Sequence, residues 1–214
     1  MKDIEYGQDC AFAFSHYSKI ESIFPDIKNW KIKAMKYEER VEKTKNSKIY
    51  QGILDNTKVR EFIESQRISE SEILSWIDTM YLLKRLFEHD KLDSKIKQAR
   101  IIQEYVIPYT KDNRADAIIC KDNKLVILEF TYQKSVYITK AQQCFVYKDI
   151  LKQQLNNKIE CYSYVFSYTN ETEENFRGDY KLDDQINDLV NFLNANLTDN
   201  DAYQSLREIT LKNK

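Results

Sequence analysis

The stretch RADAIICKDNKLVILEFTYQ, Arg114 to Gln133, decides how the rest of the chain is read. Two short apolar runs, Ala115 to Cys120 and Lys124 to Tyr132, flank Lys121-Asp122-Asn123. Val/Ile/Leu-rich runs around such a turn predict a β-hairpin. Asp116 sits near the start of the first strand and Glu129 near the end of the second. A carboxylate inside an apolar run is costly to bury unless something compensates it. Two carboxylates on one hairpin therefore point to a shared cation.

Outward from the hairpin, the pattern alternates between helices and strands. Ser69-Glu70-Ser71-Glu72 is a capping box, with Ser69 as N-cap and Glu72 three residues on. It opens a helix over Glu70 to Glu88, with Ile73, Trp76, Ile77, Met80, Leu83 and Phe87 in one apolar stripe. Arg100 to Tyr109 reads as a strand ending at Pro108, where a missing N–H is tolerated. Ile138 to Leu155 reads as a helix, Ile159 to Tyr168 as a strand, and Leu182 to Leu197 as a helix, with a further short helix near the C-terminus. Residues 1–66 read as a helical N-terminal region with a break at Phe24-Pro25-Asp26, and residues 67–214 as the α/β core. In the core, three strands can form a meander, and the helix from Ile138 lets the fourth strand lie parallel to a neighbour. The expected fold class is α/β, a small mixed sheet flanked by helices.

Composition narrows the function classes. The chain has 214 residues, 42% hydrophobic and 31% charged, with 3 Gly and 2 Pro, which suits a folded core and excludes a low-complexity chain. No apolar run approaches the length of a membrane span, and MKDIEYGQ shows no signal-peptide core. Cys10, Cys120, Cys144 and Cys161 form no C-x-x-C pair and no ladder with His16 and His89, which argues against zinc. Cys120 and Cys161 fall in strand patterns as buried thiols, and a reduced, cytoplasmic protein is expected. The net charge is −1, so the domain as a whole does not attract nucleic acid. Lys28 to Lys48 is locally basic, either a solvated helix face with pairs such as Glu39–Lys43 or a phosphate contact. The acidic stretch from Thr169 to Tyr203 repels nucleic acid rather than binding it.

Side chains alternate along a strand, so Glu129, Thr131 and Gln133 share a face. Asp116 can meet that face, and Glu104 on the preceding strand supplies a third carboxylate. Such oxygen donors suit Mg²⁺ or Mn²⁺, which can activate water and neutralise charge developing at a phosphodiester. Taken singly, each acid is more simply a strand-end or ion-pairing residue. Trp76, Tyr162, Tyr164 and Tyr168 read as packing residues rather than base-stacking platforms.

An Asp, then a Glu two residues before a lysine, carried by a hairpin and followed by a helix with Q-x-x-x-Y, is the pattern of the PD-(D/E)XK nucleases of the RecB-like branch. This chain resembles them through Asp116, Glu129, Thr131, Gln143 and Tyr147, and Arg114-Ala115-Asp116 is similar to the family's G-R-x-D start. The wider stretch, roughly residues 69–168, also resembles the nuclease-like module of some Schlafen-group helicases, through Glu72 to Trp76, Glu104-Tyr105-Val106-Ile107-Pro108 and the acidic hairpin. The resemblance implies a restriction-endonuclease-like sheet. It also implies Mg²⁺ or Mn²⁺ held by Asp116 and Glu129 with Glu104 as auxiliary ligand or base. Gln143 and Tyr147 would position phosphate or carboxylates, and the partner would be nucleic acid, DNA in preference to RNA.

The departure from the pattern is Thr131, which stands where the family has its lysine. Threonine donates one hydrogen bond but carries no charge. Losing one such electrostatic contact costs on the order of 10²–10³ in rate. Lys134 or Lys140 can substitute; alternatively Gln133 and Thr131 orient the water, or the site has decayed. Lys140, three residues before Gln143, shares that helix's inward face. Three functions follow from these alternatives. The first is a metal-dependent nuclease. The second is an inactive nuclease-like module that binds nucleic acid or regulates a partner such as a helicase. The third is an interaction protein with a coincidental acidic hairpin.

Overall fold

The computed structural model describes residues 10–32, 37–110, 113–131, 137–155, 159–168 and 180–197. A five-stranded mixed sheet in the order β1-β2-β3-β4-β5 is built from β1 (Phe12–Phe14), β2 (Arg100–Val106), β3 (Arg114–Lys121), β4 (Lys124–Thr131) and β5 (Glu160–Ser167). Strands β1 to β4 pair antiparallel, and β5 runs parallel to β4. The parallel step is made possible by α6 (Tyr137–Gln154), which lies between β4 and β5 in the chain. Fold class and core element order match the sequence expectation.

The remaining helices are α1 (Ser18–Ile23), α2 (Tyr37–Lys45), α3 (Lys48–Asp55), α4 (Thr57–Gln66), α5 (Glu70–Glu88) and α7 (Tyr180–Asn196). Two hydrophobic clusters divide the faces of the sheet. One joins Ile102, Ile118, Ile127 and Val165 to Cys144, Tyr147 and Leu151 of α6. The other joins Ile101, Ile119, Val126, Leu128 and Phe166 to α5, α7 and the N-terminal helices. Helix α5 starts at the expected capping box, with Ser69 and Glu72 bonded reciprocally. Its expected apolar stripe is buried, but so are Leu74, Asp78, Leu82 and Leu86 on its other sides. The helix is enclosed because α1 to α4 cover the side turned away from the sheet.

The N-terminal region departs from an all-helical reading. Phe12, Ala13 and Phe14 form the edge strand β1, opposite Gln103, Ile102 and Ile101 of β2. A strand of three residues spans too little of the period-2 pattern to declare itself, and its partner lies far along the chain. Phe12 packs edge-on against Trp76 and Phe24, so residues before and after position 66 share one core. Trp76 is fully buried, as expected of a packing residue. Cys161 is half-buried rather than buried. In the basic segment, Arg40 is a core residue instead of a surface one. Its guanidinium donates to both oxygens of buried Asp78 at 2.7 and 2.6 Å. Trp30 Nε1 and the Tyr168 hydroxyl complete the shell of Asp78. The expected C-terminal short helix, Gln133 and Lys134 lie outside the described residues. No helix among the described residues is long and apolar enough to cross a membrane.

Candidate active site

The register sets three acids abreast. Gln103 pairs with Ala117 and Tyr105 with Ala115, which places Glu104 level with Asp116. Ala117 pairs with Leu128, which places Asp116 level with Glu129 on the next strand. The backbone is distorted at this level. Glu104 has φ 55°, in the left-handed region that non-glycine residues rarely adopt. The strand alternation slips there as well. Ile102 and Tyr105, three apart, both pack on the α6 side, and so do Ala115 and Ile118 on β3. Strain of this kind costs on the order of 1–3 kcal/mol and concentrates at functional sites.

Beyond the last ladder pair, side chains hold β3 to β4. Asp116 Oδ2 accepts from the Phe130 N–H at 2.7 Å, and the Asp116 N–H points to Glu129 Oε1 at 3.4 Å. Lys140, on the inward face of α6, reaches both acids. Its Nζ donates to Asp116 Oδ2 at 2.9 Å and to Glu129 Oε2 at 2.5 Å. Lys140, one of the lysines proposed from sequence, therefore places its charge at the carboxylates. On the other flank, Arg114 donates through Nε to Glu104 Oε2 at 3.1 Å and through Nη2 to Glu72 Oε1 at 2.6 Å.

These residues line a cleft of about 250 Å³ between the start of α5 and the first turns of α6. Glu72, Ser75 and Trp76 form one wall, Lys140, Gln143 and Tyr147 the other, and Glu104, Asn113, Arg114 and Asp116 the floor. Glu129 lies beneath Lys140, fully buried. Thr131 is also buried, so of the predicted site residues Glu129 and Thr131 are the two that do not line the cleft; Glu129 stays connected to it through Lys140, whereas Thr131 is not joined to that ammonium. Glu72 and Arg114 were not among the residues expected to build the site. The signals for them were the capping-box glutamate and the R-x-D start of β3.

The electrostatics follow from the crowding. Burial and then the neighbouring Asp116 charge push the Glu104 carboxyl up to about 8, against the pull of Arg114. The same two causes raise Glu129 well above the ordinary range. Burial opposes the charge on Lys140, yet Asp116 and Glu129 together raise it. Tyr147 is pushed up to about 12 by burial and by Glu129 and stays a neutral phenol. Among the described residues, Glu72, Glu104, Asp116 and Glu129 are paired with two cations, Arg114 and Lys140, an excess of two negative charges when every group is ionised.

The donor set is chemically suited to a hard divalent cation. Asp116 and Glu129 supply carboxylate oxygens side by side, and Mg²⁺ is commonly held by one or two carboxylates with waters completing the shell. Among the described residues, no three His, Cys, Asp or Glu side chains are spaced to share one ion. Glu104 is tied to Arg114, and Lys140 already bridges the other two. A cation entering here would displace the ammonium from at least one oxygen. Comparison of the chain with family models, curated protein sequences and solved structures finds no significant match.

Proposed function

We propose that this protein is a metal-dependent nuclease of the PD-(D/E)XK kind, cleaving DNA phosphodiester bonds. The observation that carries the proposal is the Lys140 ammonium set against Asp116 and Glu129. It restores, from a helix, the positive charge that Thr131 lacks. The order helix, three-stranded meander, helix, parallel strand is the one the resemblance implies. Asp116 and Glu129 would hold Mg²⁺ or Mn²⁺, with Glu104 as auxiliary ligand or base. When bound, the ion would lower the pKa of water and offset charge on the phosphoryl oxygens.

The chain's own residues contribute positioning and charge. Lys140 places a fixed ammonium where negative charge develops in phosphodiester hydrolysis. Gln143 and Tyr147 lie along the same face of α6, where an amide and a phenol can hydrogen-bond a phosphate oxygen. The inactive module is the second reading. It is favoured by the ammonium's engagement with both carboxylates and by the buried, uncharged Thr131.

Calorimetric titration with Mn²⁺ and a plasmid cleavage assay test the proposal. Wild type is compared with the Asp116→Ala/Glu129→Ala double variant. Binding and cleavage that both vanish in the double variant support the nuclease. Binding without cleavage in the wild type selects the inactive module. No binding by the wild type removes the metal site altogether.

A further inference from the structure

Glu72 has two tasks on its two oxygens. Its Oε2 closes the capping box of α5, accepting from the Ser69 N–H at 2.8 Å and the Ser69 hydroxyl at 2.7 Å. Its Oε1 holds Arg114 at 2.6 Å. The Nε edge of that guanidinium then holds Glu104 Oε2 at 3.1 Å. The side chains of Arg114 and Glu104 are 14% and 8% exposed, so this link is shielded from solvent rather than a surface ion pair.

We propose that Glu72, Arg114 and Glu104 form a relay in which the capping glutamate of α5 fixes Arg114, and Arg114 positions Glu104 at the end of the carboxylate row. Glu72 and Arg114 are positioning residues for the reaction proposed above, and the inference rests on that reading. Glu104 occupies a strained backbone position beside Asp116, where a loose carboxylate would compete with Asp116 and Glu129 for Lys140. The guanidinium gives Glu104 a cation of its own and leaves the ammonium to the other two. The rigid guanidinium donates to Glu104 through Nε and to Glu72 through Nη2 with a fixed spacing between the two nitrogens, which a single ammonium nitrogen at 114 does not reproduce. The anchor is α5, whose Ile73, Leu74, Trp76 and Ile77 are buried directly after Glu72, and a site built on a rigid element keeps its geometry.

The capping box allows cap and relay to be separated. Glutamine at its third position still closes the box. Glu72→Gln therefore keeps the cap but removes the charge facing Arg114, whereas Ser69→Ala breaks the cap and leaves the pair. Tm and Mn²⁺-dependent cleavage are measured on both variants and on Arg114→Lys. The relay predicts a lower Tm with cleavage unchanged for Ser69→Ala. It predicts a near-native Tm with kcat reduced about 10-fold for Glu72→Gln, and no rescue by Arg114→Lys. Wild-type kcat in Glu72→Gln, or equal losses in Glu72→Gln and Ser69→Ala, overturns it.

Wild type that cleaves nothing sinks the nuclease reading instead, and an unfolding cycle then decides the relay. Glu72 and Glu104 share Arg114, so Glu72→Gln/Glu104→Gln should shift the unfolding constant about fivefold more than the product of the single shifts. The excess should disappear when Arg114→Met is added. Independent single shifts, or an excess that persists with Arg114→Met, overturn the relay.

Discussion

Replacing Lys140 by methionine separates metal binding from catalysis. Lys140 donates to Asp116 Oδ2 and Glu129 Oε2, and hydrogen bonds to charged groups are worth about 1.5–3 kcal/mol each. A cation that takes either oxygen must first displace the ammonium. Lys140→Met lifts at least one such cost, and about 1.4 kcal/mol is tenfold in affinity. Mn²⁺ should therefore bind the variant about 10-fold or more tightly than the wild type. Cleavage should move the other way, falling on the order of 10²–10³, because a charge at the developing anion is lost. Without metal, the variant leaves fully buried Glu129 uncompensated, which costs about 3–5 kcal/mol. Saturating Mn²⁺ should return much of that stability by mass action, about 2.7 kcal/mol at 100 times its Kd. Calorimetry, thermal unfolding with and without Mn²⁺, and plasmid cleavage read the three effects on one preparation. Mn²⁺ affinity that falls or stays the same in Lys140→Met refutes the competition between ammonium and metal. Undiminished cleavage refutes the catalytic role of the charge.

A double substitution, Thr131→Lys/Lys140→Met, returns the lysine to the strand; cleavage should recover at least tenfold over Lys140→Met alone, and no recovery means that position 131 cannot reach the carboxylates. The Glu104 carboxyl is raised from 4.5 to about 8, so between those values the folded chain keeps a proton that the unfolded chain has released. The contribution of Glu104 to stability is then full below about pH 4.5 and falls as pH rises towards 8, by at most about 1.4 kcal/mol per unit. Glu129 is shifted in the same direction, so Glu104→Gln should reduce this slope without abolishing it; a thermal unfolding series over the window that shows equal slopes for both proteins contradicts the account. Asp78→Ala strands buried Arg40 without its carboxylate and should cost about 3–5 kcal/mol in urea unfolding; a loss under about 1 kcal/mol means that the pair does not pin α2 to α5.

What could be read from the sequence was what depends on neighbours along the chain. The hairpin showed itself because Ala115 to Cys120 and Lys124 to Tyr132 are apolar runs around a three-residue turn. The cap of α5 showed itself because Ser69 and Glu72 are three residues apart. Lys140 was legible as a candidate because it shares a helix face with Gln143 and Tyr147. Other features depend on partners far away in sequence. Strand β1 exists because Phe12 to Phe14 meet residues 101–103. Arg40 looked like one charge among many until the fold placed Asp78 against it. The slip in alternation at Glu104 is a local break in period that a regular strand pattern conceals. Glu72 was recognised for its cap, and nothing in its immediate sequence reports that its second oxygen faces Arg114.

The position of the lysine follows from the same distinction. Chemistry at a carboxylate pair constrains where an ammonium nitrogen stands, not which backbone carries it. Strand β4 and helix α6 both border Asp116 and Glu129, so a long, flexible side chain from either can reach the same oxygens. Two lysines there would face each other across one pair of acids, and like charges at that distance repel. On the nuclease reading proposed above, a lysine on α6 would take the place of one at position 131, which is a buried threonine here. The same physics limits the acids. With Lys140 committed to Asp116 and Glu129, a third carboxylate at Glu104 requires its own cation, and Arg114 supplies it from two residues before Asp116. The three strand acids are thus shared between two cations, Asp116 and Glu129 with Lys140 and Glu104 with Arg114. Each is anchored to a different helix, Lys140 on α6 and Arg114 through Glu72 on α5. A divalent ion that entered between these groups would draw the protons off Glu104 and Glu129, whose carboxyls burial and Asp116 raise, and would then meet carboxylates already held in place by both walls of the cleft.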